Sequence, residues 1–409
     1  MSLVTGTIVA PQEGFFRDHR LNYLSFVANT DEKQAVAARI IEELYKLDLA
    51  HAASLNIFDA GIGDATILAK VLSAAHAKHK NLPFYIVGKE ISGQDIRIVL
   101  PKMAHVFYEH PETVLVINNL AYKKSPWNAL SPNGSGINHQ FKPVAVTGET
   151  SYEFANQFEA LEGEMPALWQ NPAALVVYRK DQEAKLKKKK LIPSAGFIPG
   201  DGFDLAIASQ PYQLVPSAVF IPGGGSDPAI ASQPYQLSRT AEWKAKTIIW
   251  PLIDSLRAGG AMIGIHSRGG DPADEMVRQA LGGFTYFKEE EAANIVKAVR
   301  NLTPEYRRDQ FDYGEVPELL RYHLRNLSEG KQGIGTPILD AAWGAAVYVA
   351  QVPDVLLQNI DKAHYEAIVT ALLDQYRGHE FDKLGSGCWF NDDVYTIHRR
   401  QAQPALVHA

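Results

Sequence analysis

Short apolar runs alternate with amphipathic segments through the first third of the chain. Three runs of strand-forming residues, at 55–59, 84–90 and 113–119, predict β-strands. Apolar residues at helical spacing predict helices at 31–46, 65–75 and 95–108. Because short strands alternate with helices of ten or more residues, the pattern predicts an α/β fold with a parallel sheet.

The rest of the chain is less regular. A stretch rich in Pro, Ser, Gly and Asn at 123–138 predicts a loop, and 173–178 is either a strand or a helix end. Further elements are predicted as follows: strands at 203–209, 258–267 and 394–399, and helices at 152–169, 239–256, 273–281, 289–301, 316–327, 338–352 and 362–376. The last five helices make a region too long for one crossover connection, which favours a helical insertion or cap.

These elements suggest a division of the chain. We expect a lid segment at 1–30, an α/β domain at 31–300 with an irregular insertion at about 121–200, a helical insertion or cap at 301–380, and closing strand residues with a tail at 381–409. The aromatic-rich start of the chain favours the lid.

A tandem repeat lies inside the predicted α/β domain. Residues 191–214 are followed by a near copy at 214–237, and only one copy can supply the central strand. The second copy has Pro228 where the first has Leu205, and proline removes a donor from the ladder. Chain connectivity favours the second copy, which leads directly into the next helix. We expect the first copy in the sheet and 215–237 as an excursion on the ligand face.

Composition and charge narrow the function classes. The chain has 409 residues, a net charge of −6 and one cysteine, Cys388, which excludes an internal disulfide and a cysteine-cluster metal site. No apolar run reaches the roughly 18 residues of a membrane span, and the start lacks signal-peptide features, so we expect a cytoplasmic protein. The lysine run at 185–190 is either a phosphate-contacting patch or a solvated helix end, and the acidic balance favours the second.

The turn after the first predicted strand carries the chemistry. Asp59, Gly61 and Gly63 lie between a strand and a helix, which is how nucleotide-cradling corners of α/β sheets are built. A nicotinamide or flavin site needs a third small residue where this chain has Thr66, and an acid about 20 residues on, whereas Glu90 lies farther away. A phosphate-loop NTPase is excluded because no Gly-Lys-Ser/Thr follows the turn.

These residues resemble the class I S-adenosylmethionine-dependent methyltransferases. The resemblance implies a mostly parallel seven-stranded sheet with helices on both faces and S-adenosyl-L-methionine as the cofactor. No metal is expected, because the histidines lack ligand spacing. The resemblance implies these cofactor contacts: Asp59, Gly61, Gly63, Glu90, Asn118, Asn119 and Ser209. The turn approaches the methionine part, Glu90 the ribose hydroxyls and the two asparagines the adenine. Ala65 stands where the family often has a third glycine.

Candidate residues for methyl transfer follow the fourth strand. Ser209-Gln210-Pro211-Tyr212, repeated at 232–235, partly resembles the Asp/Asn/Ser-Pro-Pro-Tyr motif of amino-group methyltransferases. Ala-Ser-Gln followed by an aromatic residue is equally similar to small-molecule methyltransferases. The expected catalytic residues are Gln210, Tyr212 and, as a general base, His266, although a lone histidine is more often structural.

The resemblance therefore predicts methyl transfer to a small molecule. The alternatives are a nucleic-acid or protein N-methyltransferase, a non-catalytic regulatory or scaffold protein with the same fold, and a nicotinamide oxidoreductase. The expected partner is the small-molecule methyl acceptor. Binding to a membrane is not expected and binding to nucleic acid is disfavoured, and the sequence does not decide whether the protein forms a homo-oligomer.

Overall fold

The fold is given by a computed structural model of the chain. It describes residues 26–91, 93–122, 140–192, 202–209, 240–282, 290–314, 316–325, 336–350, 352, 354–357 and 360–401. The predicted lid segment at 1–30 lies almost wholly outside these residues, and the predicted loop at 123–138 and the second copy of the repeat lie outside them.

Ten strands and a larger set of helices make up the described chain. The strands are β1 Leu55–Asp59, β2 Phe84–Lys89, β3 Thr113–Asn118, β4 Gln140–Val146, β5 Ala173–Arg179, β6 Phe203–Ser209, β7 Leu256–Ser267, β8 Phe311–Tyr313, β9 Glu318–His323 and β10 Trp389–Arg399. The α-helices are α1 Glu32–Lys46, α2 Thr66–Lys78, α3 Gly93–Glu109, α4 Ser151–Leu161, α5 Met165–Trp169, α6 Glu183–Lys188, α7 Ala241–Lys244, α8 Trp250–Asp254, α9 Pro272–Ala280, α10 Glu291–Leu302, α11 Glu305–Arg308, α12 Thr336–Val349, α13 Asp354–Leu357 and α14 Lys362–Tyr376.

All ten strands belong to one mixed sheet. Its order is β4-β5-β3-β2-β1-β6-β7-β10, and β8 and β9 both pair with the far side of β10. The five strands β3, β2, β1, β6 and β7 are parallel, whereas β4, β5 and β10 run the opposite way. The chain moves outward from β1 to β3 and then returns to place β6 on the other side of β1. This reversal is a topological switch point, where α/β proteins bind ligands beyond the carboxyl ends of the strands.

Helices cover both faces of the central strands. One apolar core joins the sheet to α1, α2, α3, α4 and α5, and a second joins the opposite face to α7, α8 and α10. A third cluster packs α9, α12 and α14 against the β9–β10 end of the sheet. Strands buried on both faces have continuous apolar runs, which explains why β1, β2 and β3 match the predicted positions to within one residue.

The predicted helix at 316–327 is wrong. The chain forms β9 there and pairs it with β10 in antiparallel register from Glu318–Val394 to His323–Trp389. Pairing with a strand far along the sequence outweighs the local helical pattern of this segment. Residues 301–380 therefore contain two sheet strands as well as helices, and the sheet has ten strands where seven were expected. The proposed division into domains stays a prediction.

The first copy of the repeat supplies the central strand, as expected. β6 lies between β1 and β7, and its Asp204 carboxylate accepts a hydrogen bond of 2.8 Å from the backbone N of Asn56. Arg257 forms an ion pair with the same carboxylate. The residues of 173–178, left open as strand or helix end, form β5.

The lysine run lies at the end of α6. Nζ of Lys189 lies 2.7 Å from the carboxylate of Glu112, which also pairs with Lys185, and Lys187 pairs with Glu183. These contacts agree with a solvated helix end. Every helix in the described ranges is too short or too polar to cross a bilayer.

Candidate functional site

The predicted site residues gather at the carboxyl ends of the central strands. Alternation along each strand divides them between the two faces of the sheet. Asp59 comes two residues after Ile57, and Ser209 comes two residues after Ile207. Ile57 and Ile207 pack in the core that contains α2 and α3, so Asp59 and Ser209 lie on the same face of the sheet, which is the face that carries the glycine turn. Asn118 and His266 alternate with residues of the opposite core and therefore lie on the other face. The sequence could not make this division without knowing where each strand begins.

The glycine turn is tight and lies against β2. The Asp59 carboxylate accepts a hydrogen bond of 3.0 Å from the backbone N of Gly61. Gly63 has a φ of 51°, and Ala65, at the position of the family's third glycine, has a φ of 60° and is fully buried. A Cβ on Gly88 would lie 2.7 Å from Cδ1 of Ile62, so the Ile62 side chain of the turn packs directly against the glycine backbone of β2. Backbone without a Cβ is what a close-lying ligand requires.

Glu90 clasps this turn from the neighbouring strand. Its Oε2 accepts from the backbone N of Gly63 at 3.1 Å, and its Oε1 accepts from the backbone N of Ile91 at 2.7 Å. The indole Nε1 of Trp169 donates to the Glu90 carbonyl at 2.9 Å. The second predicted acid, Asp59, is buried, and burial raises its pKa to about 6, against the opposing effects of the Gly61 N–H and of Lys33. Two acids thus border the turn.

The two asparagines use their side chains to hold strands together. Asn118 donates to the carbonyl of Gly88 at 3.1 Å and accepts from the backbone N of Leu120 at 3.2 Å. Asn119 donates to the carbonyl of Asn171 at 2.9 Å and accepts from the backbone N of Ala173 at 2.7 Å. The partners of Asn119 come from the insertion between β3 and β6, and no motif in the sequence indicated these contacts.

His266 lies at the carboxyl end of β7 and is 2% exposed. Its Nε2 lies 3.1 Å from Nζ of Lys244, and its Nδ1 lies 2.9 Å from the carbonyl O of Ser267. These partners fix a ring with the proton on Nδ1 and Nε2 accepting from lysine. Nζ of Lys244 also lies 2.7 Å from Oε1 of Glu291, so the histidine belongs to a buried ion-pair network. Gln210 and Tyr212, the other predicted catalytic residues, and the second copy at 232–235 lie outside the described residues.

Three residues of this region escaped the sequence analysis. Asp64, directly after the turn, accepts from Lys102 at 2.6 Å and from the hydroxyl of Thr66 at 2.6 Å, and its pKa is lowered to about 2, since Lys33, Lys102 and Thr66 together outweigh the effect of burial. Trp169 is the last residue of α5, which belongs to the insertion between β3 and β6. Lys89, a charged residue within an apolar run and next to the predicted acid, is visible in the sequence but was not singled out.

Comparisons with solved structures find methyltransferases that have low sequence identity and low structural similarity to this chain. No family model and no curated protein matches the sequence. One similar solved structure is a putative class I S-adenosylmethionine-dependent methyltransferase from Listeria monocytogenes, with 8% identity and a TM-score of 0.31, covering 91% of this chain and 62% of that one. Another is the rRNA methyltransferase AviRa from Streptomyces viridochromogenes, with 12% identity and a TM-score of 0.22, covering 56% of this chain and 72% of that one. The present chain thus spans under two thirds of the Listeria chain, and inferences about activity rest on its own residues.

Proposed function

We propose that the protein is an S-adenosylmethionine-dependent methyltransferase that acts on a small molecule in the cytoplasm. The observation that carries the proposal is the clasp between the Glu90 carboxylate and the Gly63 backbone N, 3.1 Å long, beside the switch point of the sheet. It joins the two parts of the predicted cofactor motif, which are 27 residues apart in sequence.

The residues around the turn suit this cofactor chemically. A carboxylate offers about four acceptor sites, so Glu90 can keep its backbone partners and still accept from ribose hydroxyls. Charge-assisted hydrogen bonds of this kind are about twice as strong as neutral ones. Asp59 and Glu90 would also supply negative charge to a ligand that carries a sulfonium and an ammonium group. When bound, the cofactor supplies an activated methyl group, and the chain's part is to hold and orient both ligands.

The strand order supports the same proposal. Because β8 and β9 share one edge of β10, the strands from β3 to that edge occupy seven positions: β3, β2, β1, β6, β7, β10 and β8/β9. We propose that these form the seven-stranded sheet of the family, and that β4 and β5 are an addition beyond β3. The helices of 301–380 would then form the cap expected from the sequence.

The roles of individual residues follow from their faces. We propose Asp59, Gly61, Gly63 and Glu90 as cofactor contacts, with Ser209 at the transfer end of the same face. Asn118 and Asn119 support the site through the backbone they hold. Gln210 and Tyr212 stay predicted acceptor contacts, and we assign His266 to holding Lys244 rather than to proton transfer.

Titration calorimetry tests the proposal. S-adenosylhomocysteine and S-adenosylmethionine should bind the wild type, whereas NAD should not. Glu90→Gln should weaken S-adenosylhomocysteine binding about 10- to 100-fold, because it removes the charge from hydrogen bonds worth roughly 1.5–3 kcal/mol. Glu159→Gln, an exposed change of the same kind on α4, should leave the affinity unchanged. NAD binding without S-adenosylhomocysteine binding would refute the proposal.

A further inference from the structure

Lys89 is a buried cation at the ligand edge of the sheet. It is the last residue of β2 and is 2% exposed. Its side chain alternates with those of Tyr85 and Val87, which belong to the core on the face opposite the glycine turn. Its Nζ lies 4.9 Å from the ring centroid of Tyr122. Within the described part of the chain, Nζ has no hydrogen-bond acceptor.

The position of Lys89 is fixed by the predicted site itself. Its carbonyl O accepts from the backbone N of Ile62 in the glycine turn at 3.0 Å. The hydroxyl of Tyr122, whose ring faces the ammonium, donates to the carbonyl of Ala60 at 2.8 Å. Both contacts tie the lysine to the residues that directly follow β1. Its ammonium is thus held next to the switch point but on the other face from Asp59.

The ammonium group of Lys89 lacks hydrogen-bond acceptors among the described residues. It has three N–H donors, and an aromatic ring offers charge stabilisation but no lone pair. Leaving a buried charge without acceptors is among the most costly arrangements in a protein. Burial accordingly lowers the pKa of Lys89 to about 7, and Glu90 is the ionised group that acts in the opposite direction. A ligand that brought acceptor oxygens would restore both the charge and the hydrogen bonds.

We propose that Lys89, with the ring of Tyr122 beside it, forms a binding site for an anionic oxyacid group, a carboxylate or a phosphate, on the methyl acceptor. This inference rests on the proposed function, because it names the chemical class of the acceptor. The site lies on the opposite face from the two acids assigned to the cofactor, so the acceptor and the cofactor approach the sheet edge from different sides. The acceptor is then an organic acid or a phosphate ester.

Thermal unfolding with small anions tests the site. Acetate, benzoate and inorganic phosphate are each titrated at constant ionic strength, at a pH below the lysine pKa of about 7. We expect at least one of them to raise the Tm of the wild type in a saturable way. The rise should disappear in Lys89→Met and persist in Lys70→Met, which removes an exposed lysine of α2. Carboxylates and phosphate distinguish the two kinds of oxyacid. No rise with any probe, or an equal rise in Lys89→Met, would overturn the site.

A second measurement needs only the wild type. Calorimetry of the stabilising anion in two buffers of different ionisation enthalpy gives the protons taken up on binding. One pH unit above the lysine pKa, we expect about 0.9 proton per bound anion, because a mostly neutral amine must become charged. The apparent affinity should fall about tenfold for each further pH unit. Binding without proton uptake would contradict the role of Lys89.

S-adenosylhomocysteine binding to the same preparations separates this inference from the proposed function. If the cofactor product binds and no anion does, the acceptor site fails alone. If anions bind through Lys89 and S-adenosylhomocysteine does not, methyl transfer fails and the anion site stands. If Lys89→Met weakens S-adenosylhomocysteine binding tenfold or more, the lysine binds the cofactor's own carboxylate, and its assignment to the acceptor is overturned.

Discussion

Two lysines in the described part of the chain are buried, and they differ in what surrounds their ammonium groups. Lys244, at the end of α7, has Oε1 of Glu291 at 2.7 Å and Nε2 of His266 at 3.1 Å. Lys89, at the end of β2, has an aromatic ring and no hydrogen-bond acceptor among the described residues. Both lie at the carboxyl edge of the same sheet, on the same face.

The difference separates a charge that is satisfied within the folded chain from one for which we propose a ligand. The surroundings of Lys244 satisfy its charge within the folded chain, so its burial needs nothing from outside. Lys89 is buried at a cost that the described chain does not offset, and such a cost persists where function requires it. Asp59 is comparable, since burial raises its pKa to about 6 beside the same turn. The candidate site therefore contains a carboxylate and an ammonium group whose charged forms are both disfavoured by burial, and they lie on opposite faces of the sheet.

The largest expected effect comes from breaking the satisfied pair. Lys244→Met leaves the Glu291 carboxylate, itself buried, without its counter-charge. Removing one partner of a buried ion pair typically costs about 3–5 kcal/mol, and we expect a loss of that size in the free energy of unfolding measured in urea. The double variant Lys244→Met with Glu291→Leu should recover much of the loss. A loss below about 1 kcal/mol for the single variant would show that the pair is not structural.

The same substitution at Lys89 should have the opposite sign. Lys89→Met replaces an unsatisfied charge by an apolar side chain of similar length. Replacing buried ion pairs by apolar side chains can stabilise a protein by about 1–4 kcal/mol, and we expect a gain in the same range here. The gain should be largest below pH 7, where the lysine is charged in both folded and unfolded states. It should shrink from pH 7 toward 10, because the unfolded chain then binds more protons than the folded one and the wild type gains stability. Urea unfolding across this range measures both; destabilisation at pH 7 would contradict the comparison.

How far such contrasts can be predicted from sequence depends on where the partners come from. The turn from Asp59 to Gly63 is local, and the strand before it is buried on both faces, so both were predictable. β9 was missed because its partner, β10, begins at Trp389, far along the chain. The charge of Lys89 within an apolar strand is visible in the sequence. That it lacks an acceptor among the described residues, while Glu291 and His266 contact Lys244, depends on side chains that only the fold brings together.

Replacing His266 tests how much its contact with Lys244 contributes to the free energy of unfolding. His266→Phe keeps a ring of similar size but removes the acceptor, while Glu291 remains. We expect a loss of roughly 1.5–3 kcal/mol in the free energy of unfolding, the usual value of a hydrogen bond to a charged group. S-adenosylhomocysteine affinity should not change, since the ring faces the lysine. A variant with unchanged stability would mean that the histidine is free for another role, including the proton transfer first expected of it.

The smallest change gives Lys89 a partner of its own. Asn118 is in register with Lys89 on the neighbouring strand and lies on the same face, so Asn118→Asp introduces a carboxylate beside the ammonium. An opposite charge at close range typically changes a pKa by 1–3 units, and we expect the pKa of Lys89 to rise by at least one. The stability change should stay within about 1 kcal/mol, because the lost hydrogen bond to the Gly88 carbonyl offsets the new ion pair. Small anions should then bind at least tenfold more weakly, as measured by thermal unfolding.

Asn171→Asp, which adds the same charge at an exposed position, is the control and should leave anion binding intact. Undiminished binding in Asn118→Asp would mean that an internal carboxylate cannot replace the ligand, and that the two lysines do not differ as argued.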